Sequence, residues 1–323
     1  MSATPLASSP HVPLRSRVAG GAALVRTAGD SIPPAGLVLI GILSVQAGAG
    51  VAKNLFAVLP PSAVVWLRLL TSAAVLLLLV RPTVRGRSRA DWLVVVGFGL
   101  ALATMNLAIY ESFARIPLGI AVTIEFLGPL AVAVAGSRRV LDLAWVALAG
   151  LGVLLLGRGD VALDPVGIGF ALLAATAWAG YILLSAATGQ RFSGTSGLAI
   201  ASVVGVLFIG PAAVAQGGPA LLEPKLLLFG LLVGLMSSVV PYSLEMQALR
   251  RMPPRVFGIL MSLQPAAAAL VGMALLAEFL SASQWLAVAC VIIASAGATR
   301  AQRRPEKGEQ AGGGTAGSER DGG

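Results

Sequence analysis

Long apolar runs dominate this sequence. Ten runs, each of about 18 to 22 mostly apolar residues, begin near residues 36, 61, 92, 117, 140, 166, 196, 225, 254 and 281. A helix of that length crosses the hydrocarbon core of a bilayer. The chain has 57% apolar residues and only 23 basic and 14 acidic ones in 323 positions, which does not suit a soluble globule. The sequence therefore predicts an all-α integral membrane protein with ten transmembrane helices.

The two halves of the sequence resemble each other at a constant offset of 136. The segment Glu111–Pro117, followed by Pro129, aligns with Gln247–Pro253, followed by Pro265. Many secondary transporters build alternating access from such repeats, so the pattern indicates transport. Since each repeat holds five helices, an odd number, we expect the second copy to be inverted relative to the first.

The repeats divide the chain into four parts. We expect a cytoplasmic N-terminal tail over residues 1–35, the first repeat over 36–160, the second over 161–300 and a disordered cytoplasmic C-terminal tail over 301–323. The C-terminal tail is rich in Gly, Glu and Arg, a composition that favours disorder. The N-terminal tail lacks a compact apolar core followed by a small-residue cleavage site, so we do not interpret it as a signal peptide.

Basic residues predict the orientation in the membrane. With the N-terminus in the cytoplasm, 18 of the 23 basic residues lie inside and only Arg115, Arg158 and Lys225 lie outside, while Lys53 and Arg68 fall within spans. We therefore expect a multi-pass protein of the plasma (cell inner) membrane with both termini cytoplasmic. A pI near 10.9 would suggest a nucleic-acid partner in a soluble protein, but these basic residues flank apolar spans, so we expect none.

The residues around the first repeat's turn carry a family resemblance. They are the stretch Ile116–Leu130, Ser137–Arg139, Asp142 and Trp145, with Pro265, Glu278 and Trp285 in the second half. This pattern resembles the EamA-type branch of the drug/metabolite transporter superfamily and is most similar to its bacterial threonine/homoserine exporter group. As in that group, the first repeat lacks the acidic turn found at Ala277–Phe279. The resemblance covers about residues 36–300 and implies a ten-helix exporter of small metabolites, amino acids first and drug-like cations or other metabolites second.

Glu125 is the residue that most directly suggests a mechanism. It lies eight residues into its span, about 12 Å below the outer end and thus near mid-membrane. A carboxylate there is costly when ionised, so it must be paired, hydrated or protonated, and it becomes a candidate proton carrier. Pro129 offers no N–H to the carbonyl of Glu125, and Pro265 holds the matching place in the second repeat. The alternative is that Glu125 only joins helices through a salt bridge.

Three polar residues are expected at a similar depth. By helical rise, Lys53, Arg68 and Asn106 lie in the outer half of the membrane, about 6 to 12 Å from its edge. Two cations, an amide and the Glu125 carboxylate suit a zwitterion, whose carboxylate the cations would hold and whose ammonium Glu125 would hold. Alternatively, Lys53 reaches to the interface and Arg68 is a permanent structural partner of Glu125.

Further candidates are neutral. Gln46 and Gln264 fall near mid-membrane, where their amides either line the cavity or bridge helices. Trp178 and Tyr181 lie one helical turn apart, where they either wall the cavity or pack in the core.

Other chemistries are poorly represented. The chain has no G-x-x-x-x-G-K-[ST] phosphate loop, so the proton gradient is the natural energy source. A single histidine, His11, and a single cysteine, Cys290, argue against a metal site or a cofactor-dependent enzyme. A membrane-embedded enzyme would need clusters of nucleophile, base or metal ligands, and a channel or scaffold would not need buried charges in one half only. The expected partners are a zwitterionic amino acid, protons and the lipid bilayer, with the chain a monomer or a homodimer.

Overall fold

The computed structural model describes residues 32–80, 82, 84–135, 140–156 and 163–301. Regular structure in these ranges is helical throughout, and they contain no strand. The helices, numbered along the chain, are α1 (Pro34–Leu55), α2 (Pro61–Leu79), α3 (Arg89–Phe113), α4 (Leu118–Glu125), α5 (Leu127–Ala135), α6 (Val140–Leu156), α7 (Pro165–Gly189), α8 (Ser196–Gly217), α9 (Pro224–Gly234), α10 (Val240–Arg251), α11 (Pro254–Met261), α12 (Gln264–Leu276) and α13 (Ala282–Ala301). A 3-10 turn, Gly218–Leu222, follows α8, and a π-helical turn, Leu235–Val239, joins α9 to α10.

Nine helical segments of the described ranges are long and apolar enough to cross a membrane. A further apolar helix, Asp142–Leu156, is shorter than the others. The all-α membrane fold expected from the sequence is thus confirmed, whereas the count of ten helices and the inverted repeats stay predictions. The tails before residue 32 and after residue 301, together with Arg138, Arg139 and Arg158, lie outside the described residues.

Local sequence signals explain where the helices begin. Five helices start with a proline, namely α1, α2, α7, α9 and α11. Proline suits this place because its fixed φ is already helical and its missing N–H would have no partner there. Helix α3 begins instead at a capping box, in which the Ser88 hydroxyl accepts from the Asp91 N–H and the Asp91 carboxylate accepts from the Ser88 N–H.

Three apolar spans are interrupted, and each interruption precedes a proline. The breaks lie between α4 and α5, between α9 and α10, and between α11 and α12. Since proline has no N–H, it leaves free the carbonyl four residues earlier. Pro129 does so for Glu125, Pro241 for Ser237 and Pro265 for Met261. The membrane interior therefore contains backbone acceptors that can receive hydrogen bonds from side chains or ligands.

Glycines bring the second of these breaks against α2. A Cβ added at Gly230 would lie 2.7 Å from the Leu67 Cβ, and one added at Gly234 would lie 2.5 Å from the Thr71 Cβ. Both are closer than real Cβ contacts, so the two helices approach each other only because these residues are glycine. Arg68, next to Leu67, is thereby held beside the π-helical turn.

Candidate functional site

Arg68 of α2 is held by a backbone carbonyl and a tyrosine. Its Nη2 donates to the Ser237 carbonyl at 3.2 Å, and its Nη1 donates to the Tyr110 hydroxyl at 3.3 Å. The guanidinium also lies 5.6 Å from the centre of the Tyr110 ring. The Ser237 carbonyl is available because Pro241 cannot bond to it. The Arg68 Nε is buried and has no hydrogen-bond partner among the described residues, so the guanidinium keeps unused donor capacity.

Glu125 is the last residue of α4 and lies at the first helix break. It is only 9% exposed, yet it makes no hydrogen bond or ion pair with any residue that the structure describes. Arg68 is the charged group within electrostatic reach of it. A buried carboxylate and a partly buried guanidinium thus face the same region without closing into a salt bridge. Such an arrangement leaves both groups able to bind a charged ligand.

Two tyrosines and a second acid extend this polar region. Tyr181 of α7 and Tyr242 of α10 lie close enough for their hydroxyl groups to interact, and both lie within electrostatic reach of Glu245. Tyr242 is also within reach of Arg68. Glu245 is partly buried against α1, where a Cβ added at Gly41 would lie 3.7 Å from the Glu245 Cγ. Tyr242 and Glu245 are three residues apart and share one face of α10.

Lys53 lies in different surroundings from Arg68. Its ammonium forms an ion pair of 2.5 Å with the Glu278 Oε1 and donates to the Ile116 carbonyl at 2.8 Å. The other oxygen of Glu278 accepts from the Leu118 N–H at 2.7 Å, at the start of α4. Lys53 is therefore occupied by protein groups, a contact that differs from both roles considered from the sequence.

The neutral candidates make contacts within the helix packing. The Asn106 amide donates to the Leu102 carbonyl of its own helix at 2.8 Å and is buried. The Gln46 and Gln264 amides meet across α1 and α12 at 3.5 Å, a long hydrogen bond. Trp178 packs edge-on against Phe126, the residue after Glu125, with ring centres 5.1 Å apart. Trp178 thus lies beside the first break, while the hydrogen bond of Asn106 stays within its own helix.

Sequence reasoning missed four members of this region: Tyr110, Ser237, Tyr242 and Glu245. A weak signal existed for the last two, because the segment Val240–Arg251 is far less apolar than the other spans. Glu245 is the acid in this segment, and its position within the span makes it a candidate buried carboxylate like Glu125. The Ser237 carbonyl had a sequence signal in Pro241, which leaves the carbonyl four residues earlier free just as Pro129 does for Glu125.

The described residues contain no group of three or more His, Cys, Asp or Glu side chains that could hold a metal ion. What the site does contain is a set of buried charged and hydroxyl groups beside interrupted membrane helices. Substrate sites of secondary transporters are commonly built from such discontinuous helices. Fold and site together therefore define a multi-pass membrane transport protein.

The chain belongs to the EamA-like transporter family, whose sequence profile matches residues 165–300. It is 41% identical over 274 residues to the threonine/homoserine exporter RhtA of Salmonella typhimurium, covering 83% of this chain and 92% of that protein. It is 40% identical over 280 residues to the threonine/homoserine exporter RhtA of Escherichia coli, covering 85% and 94%. A solved crystal structure that is 19% identical superposes with a TM-score of 0.55, covering 80% of this chain and 95% of the other. The sequence-based assignment to this family is confirmed.

Proposed function

We propose that this protein exports small amino acids of the threonine or homoserine type out of the cell. The observation that carries the proposal is the pair formed by the buried Glu125 and the partly buried Arg68, two opposite charges that do not bond to each other. A zwitterion with neighbouring carboxylate and ammonium groups satisfies both charges at once. Two relatives that match most of the chain are named threonine/homoserine exporters, which supports the same substrate class.

In this proposal Arg68 holds the substrate carboxylate and Glu125 holds its ammonium. The unused Nε and the planar guanidinium suit a carboxylate, which accepts two parallel hydrogen bonds. The tyrosine pair of Tyr181 and Tyr242 offers hydroxyl groups for a polar side chain of the substrate. The free carbonyl of Glu125 offers a further acceptor for the ammonium.

Coupling to protons follows from competition at Glu125. A substrate ammonium arriving from the cytoplasm displaces the proton from this carboxylate, and the proton leaves to the cytoplasm. After the substrate departs on the outer side, the empty carboxylate takes a proton from outside. The protonated site then returns, so one proton enters for each amino acid exported and Glu125 never crosses the membrane as an unpaired carboxylate.

We propose alternating access by two inverted repeats, over residues 36–160 and 161–300, in a plasma-membrane protein that works as a monomer or homodimer. The basic residues support an orientation with both termini and the Arg250–Arg255 loop in the cytoplasm and Arg115 outside. Labelling of single cysteines from intact cells tests this, with Arg115→Cys and Arg251→Cys in a Cys290→Ala background. Only the variant at position 115 should react, and strong reaction at 251 with none at 115 would reverse the orientation.

The decisive experiment measures transport of labelled threonine and homoserine into inverted membrane vesicles. We expect uptake with the interior acidic relative to the medium, since the cytoplasmic face is then outside, and little uptake once the pH gradient is collapsed. A panel of other amino acids, organic cations and uncharged metabolites defines the substrate class. Transport of organic cations without amino acids would overturn the proposal.

A further inference from the structure

Glu245 of α10 is a second acid within a membrane span, and the mechanism above does not use it. It makes no hydrogen bond or ion pair with any residue that the structure describes. It precedes Arg251, the last residue of α10, by six positions, which is about 9 Å of helix. With the proposed orientation, Glu245 lies nearer the cytoplasm than Glu125 does.

The groups around Glu245 form a polar row that leads to Arg68. Tyr242 lies one turn before Glu245 on the same helix, and Tyr181 reaches them from α7. Tyr242 in turn is within electrostatic reach of Arg68, which faces Glu125. Arg68 is the cation within reach of this row. From the cytoplasmic side inward, the order is thus an acid, a hydroxyl pair, a cation and a second acid.

Tyr181, Tyr242 and Glu245 are each only partly covered by the rest of the protein. Tyr242 keeps 40% of its surface exposed although it lies near Tyr181 and two charged groups. A carboxylate that faced hydrocarbon without a partner would be strongly unfavourable, so an ionised Glu245 must border water or a ligand. Helix α1 packs against α10 at this point, since a Cβ added at Gly41 would make ordinary contacts of 3.7 Å with both the Glu245 Cγ and the Pro241 Cα.

From these contacts we propose that Glu245 binds the ammonium group of the substrate on the cytoplasmic side before Glu125 does. The inference rests on the proposed function, because it requires a zwitterionic substrate. The amino acid first meets Glu245 through its ammonium, and its carboxylate then binds Arg68. With the carboxylate held there, the ammonium passes from Glu245 to Glu125, while Tyr181 and Tyr242 supply hydroxyl groups between the two acids.

The test compares the two faces of the membrane. Glu245→Gln keeps the size of the side chain and removes its charge, so the KM for threonine at the cytoplasmic face, measured in inverted vesicles, should rise about tenfold. The KM at the external face, measured in right-side-out vesicles by exchange, should stay within about twofold of the wild type. Glu223→Gln, which alters an exposed acid before α9, is the matched control and should change neither value.

Each other outcome decides against the inference. An unchanged cytoplasmic KM overturns it, and an equal rise at both faces assigns Glu245 a structural role instead. If Glu245→Gln does not insert, Glu245→Asp keeps the charge on a shorter arm and must raise the cytoplasmic KM alone, or the inference is wrong. A wild-type protein that transports no amino acid would instead refute the proposed function.

Discussion

In the part of the chain that the structure describes, two pairs of opposite charges lie within or beside the membrane spans, and they differ in how completely they are bonded. Lys53 and Glu278 form an ion pair in which each group also bonds the backbone, at Ile116 and Leu118. Arg68 and Glu125 approach one another without an ion pair, and Arg68 bonds a tyrosine and a carbonyl instead. A burial map alone would treat the two pairs alike.

This difference in bonding distinguishes a structural ion pair from a candidate ligand-binding pair. A buried charge that bonds fully to protein has no capacity left for a ligand, while one with unused capacity is costly unless a ligand or proton supplies the missing partner. We therefore assign Lys53 and Glu278 to holding helices together and Arg68 and Glu125 to the transported substrate. Substitutions at these and neighbouring residues test this distinction, beginning with the largest expected effect.

Glu125→Gln should have the largest effect. The amide keeps the shape of the side chain but cannot pair with an ammonium or carry a proton, so threonine export driven by a pH gradient should fall at least about a hundredfold. The amount of inserted protein should be unchanged, because Glu125 makes no ion pair within the described part of the chain. Vesicle transport and membrane quantification measure the two quantities.

The control for this prediction is Glu111→Gln. Glu111 pairs with Arg115 one turn away near the C-terminal end of α3, and such partly exposed pairs contribute little. Its export rate should stay within about twofold of the wild type. Normal gradient-driven export by Glu125→Gln would remove this residue from the coupling mechanism, and poor insertion would make it a structural residue.

Arg68→Gln should lower export of threonine about 10- to 30-fold but that of threoninamide less than about threefold. The amide lacks the carboxylate that we assign to Arg68, so it loses no charge-assisted hydrogen bonds. Competition between the two compounds in vesicles gives the ratio. Equal losses in well-inserted protein would contradict carboxylate binding.

The exchange of both charges, Arg68→Glu with Glu125→Arg, is the companion experiment. If the two residues were a permanent internal pair, the double variant would regain activity. We expect it to stay inactive, because the two groups are not bonded to each other and each has its own surroundings.

Lys53→Met should affect stability more than transport. Removing one partner of a fully buried pair costs about 3 to 5 kcal/mol, and we expect about 1 to 3 kcal/mol here because both side chains keep some contact with solvent. Their exposed fractions are 19% and 14%. Unfolding in detergent should show the loss, while export per folded molecule stays within about threefold.

The double variant Lys53→Met, Glu278→Gln tests whether the loss of stability comes from the unpaired Glu278 carboxylate. The new amide can still accept from the Leu118 N–H, and no unpaired charge remains, so most of the lost stability should return. A double variant no more stable than Lys53→Met would mean that the pair is not the source of the effect.

Tyr110→Phe should have the smallest effect. It removes the hydroxyl that accepts from Arg68 at 3.3 Å but keeps the ring beside the guanidinium, so one weak hydrogen bond is lost. We expect a two- to fivefold rise in the KM for threonine, about the value of one such bond, with the maximal rate unchanged. A loss as large as that of Arg68→Gln would show that Tyr110 itself binds the substrate.

The sequence predicts much of this fold because a bilayer allows few structures to cross it. Apolar runs of spanning length must be helical, and charges within them stand out, which identified Lys53, Arg68 and Glu125. The prolines at 129 and 265 marked places where helices α5 and α12 start anew. Each of these features is local and can be read within one span.

The bonding of the charges was not predictable in the same way. Lys53 and Glu278 are far apart in sequence, and nothing near either residue identifies the other. Glu245 was not predicted because it lies near the expected end of the apolar run that starts near residue 225. In addition, the π-helical turn adds a residue within the span. One added residue rotates the following face by about 100°, so the helical pattern of α9 does not continue into α10.

The position of Glu278 has a consequence for how the protein is made. Ribosomes synthesise the chain from its N-terminus, so α1 enters the membrane with Lys53 long before its carboxylate partner exists. During that interval the ammonium must reach toward water at the membrane surface. Only when the turn after α12 arrives can Lys53 settle, and the same carboxylate then fixes the start of α4. This contact therefore makes the integrity of the first helix depend on completion of nearly the last one.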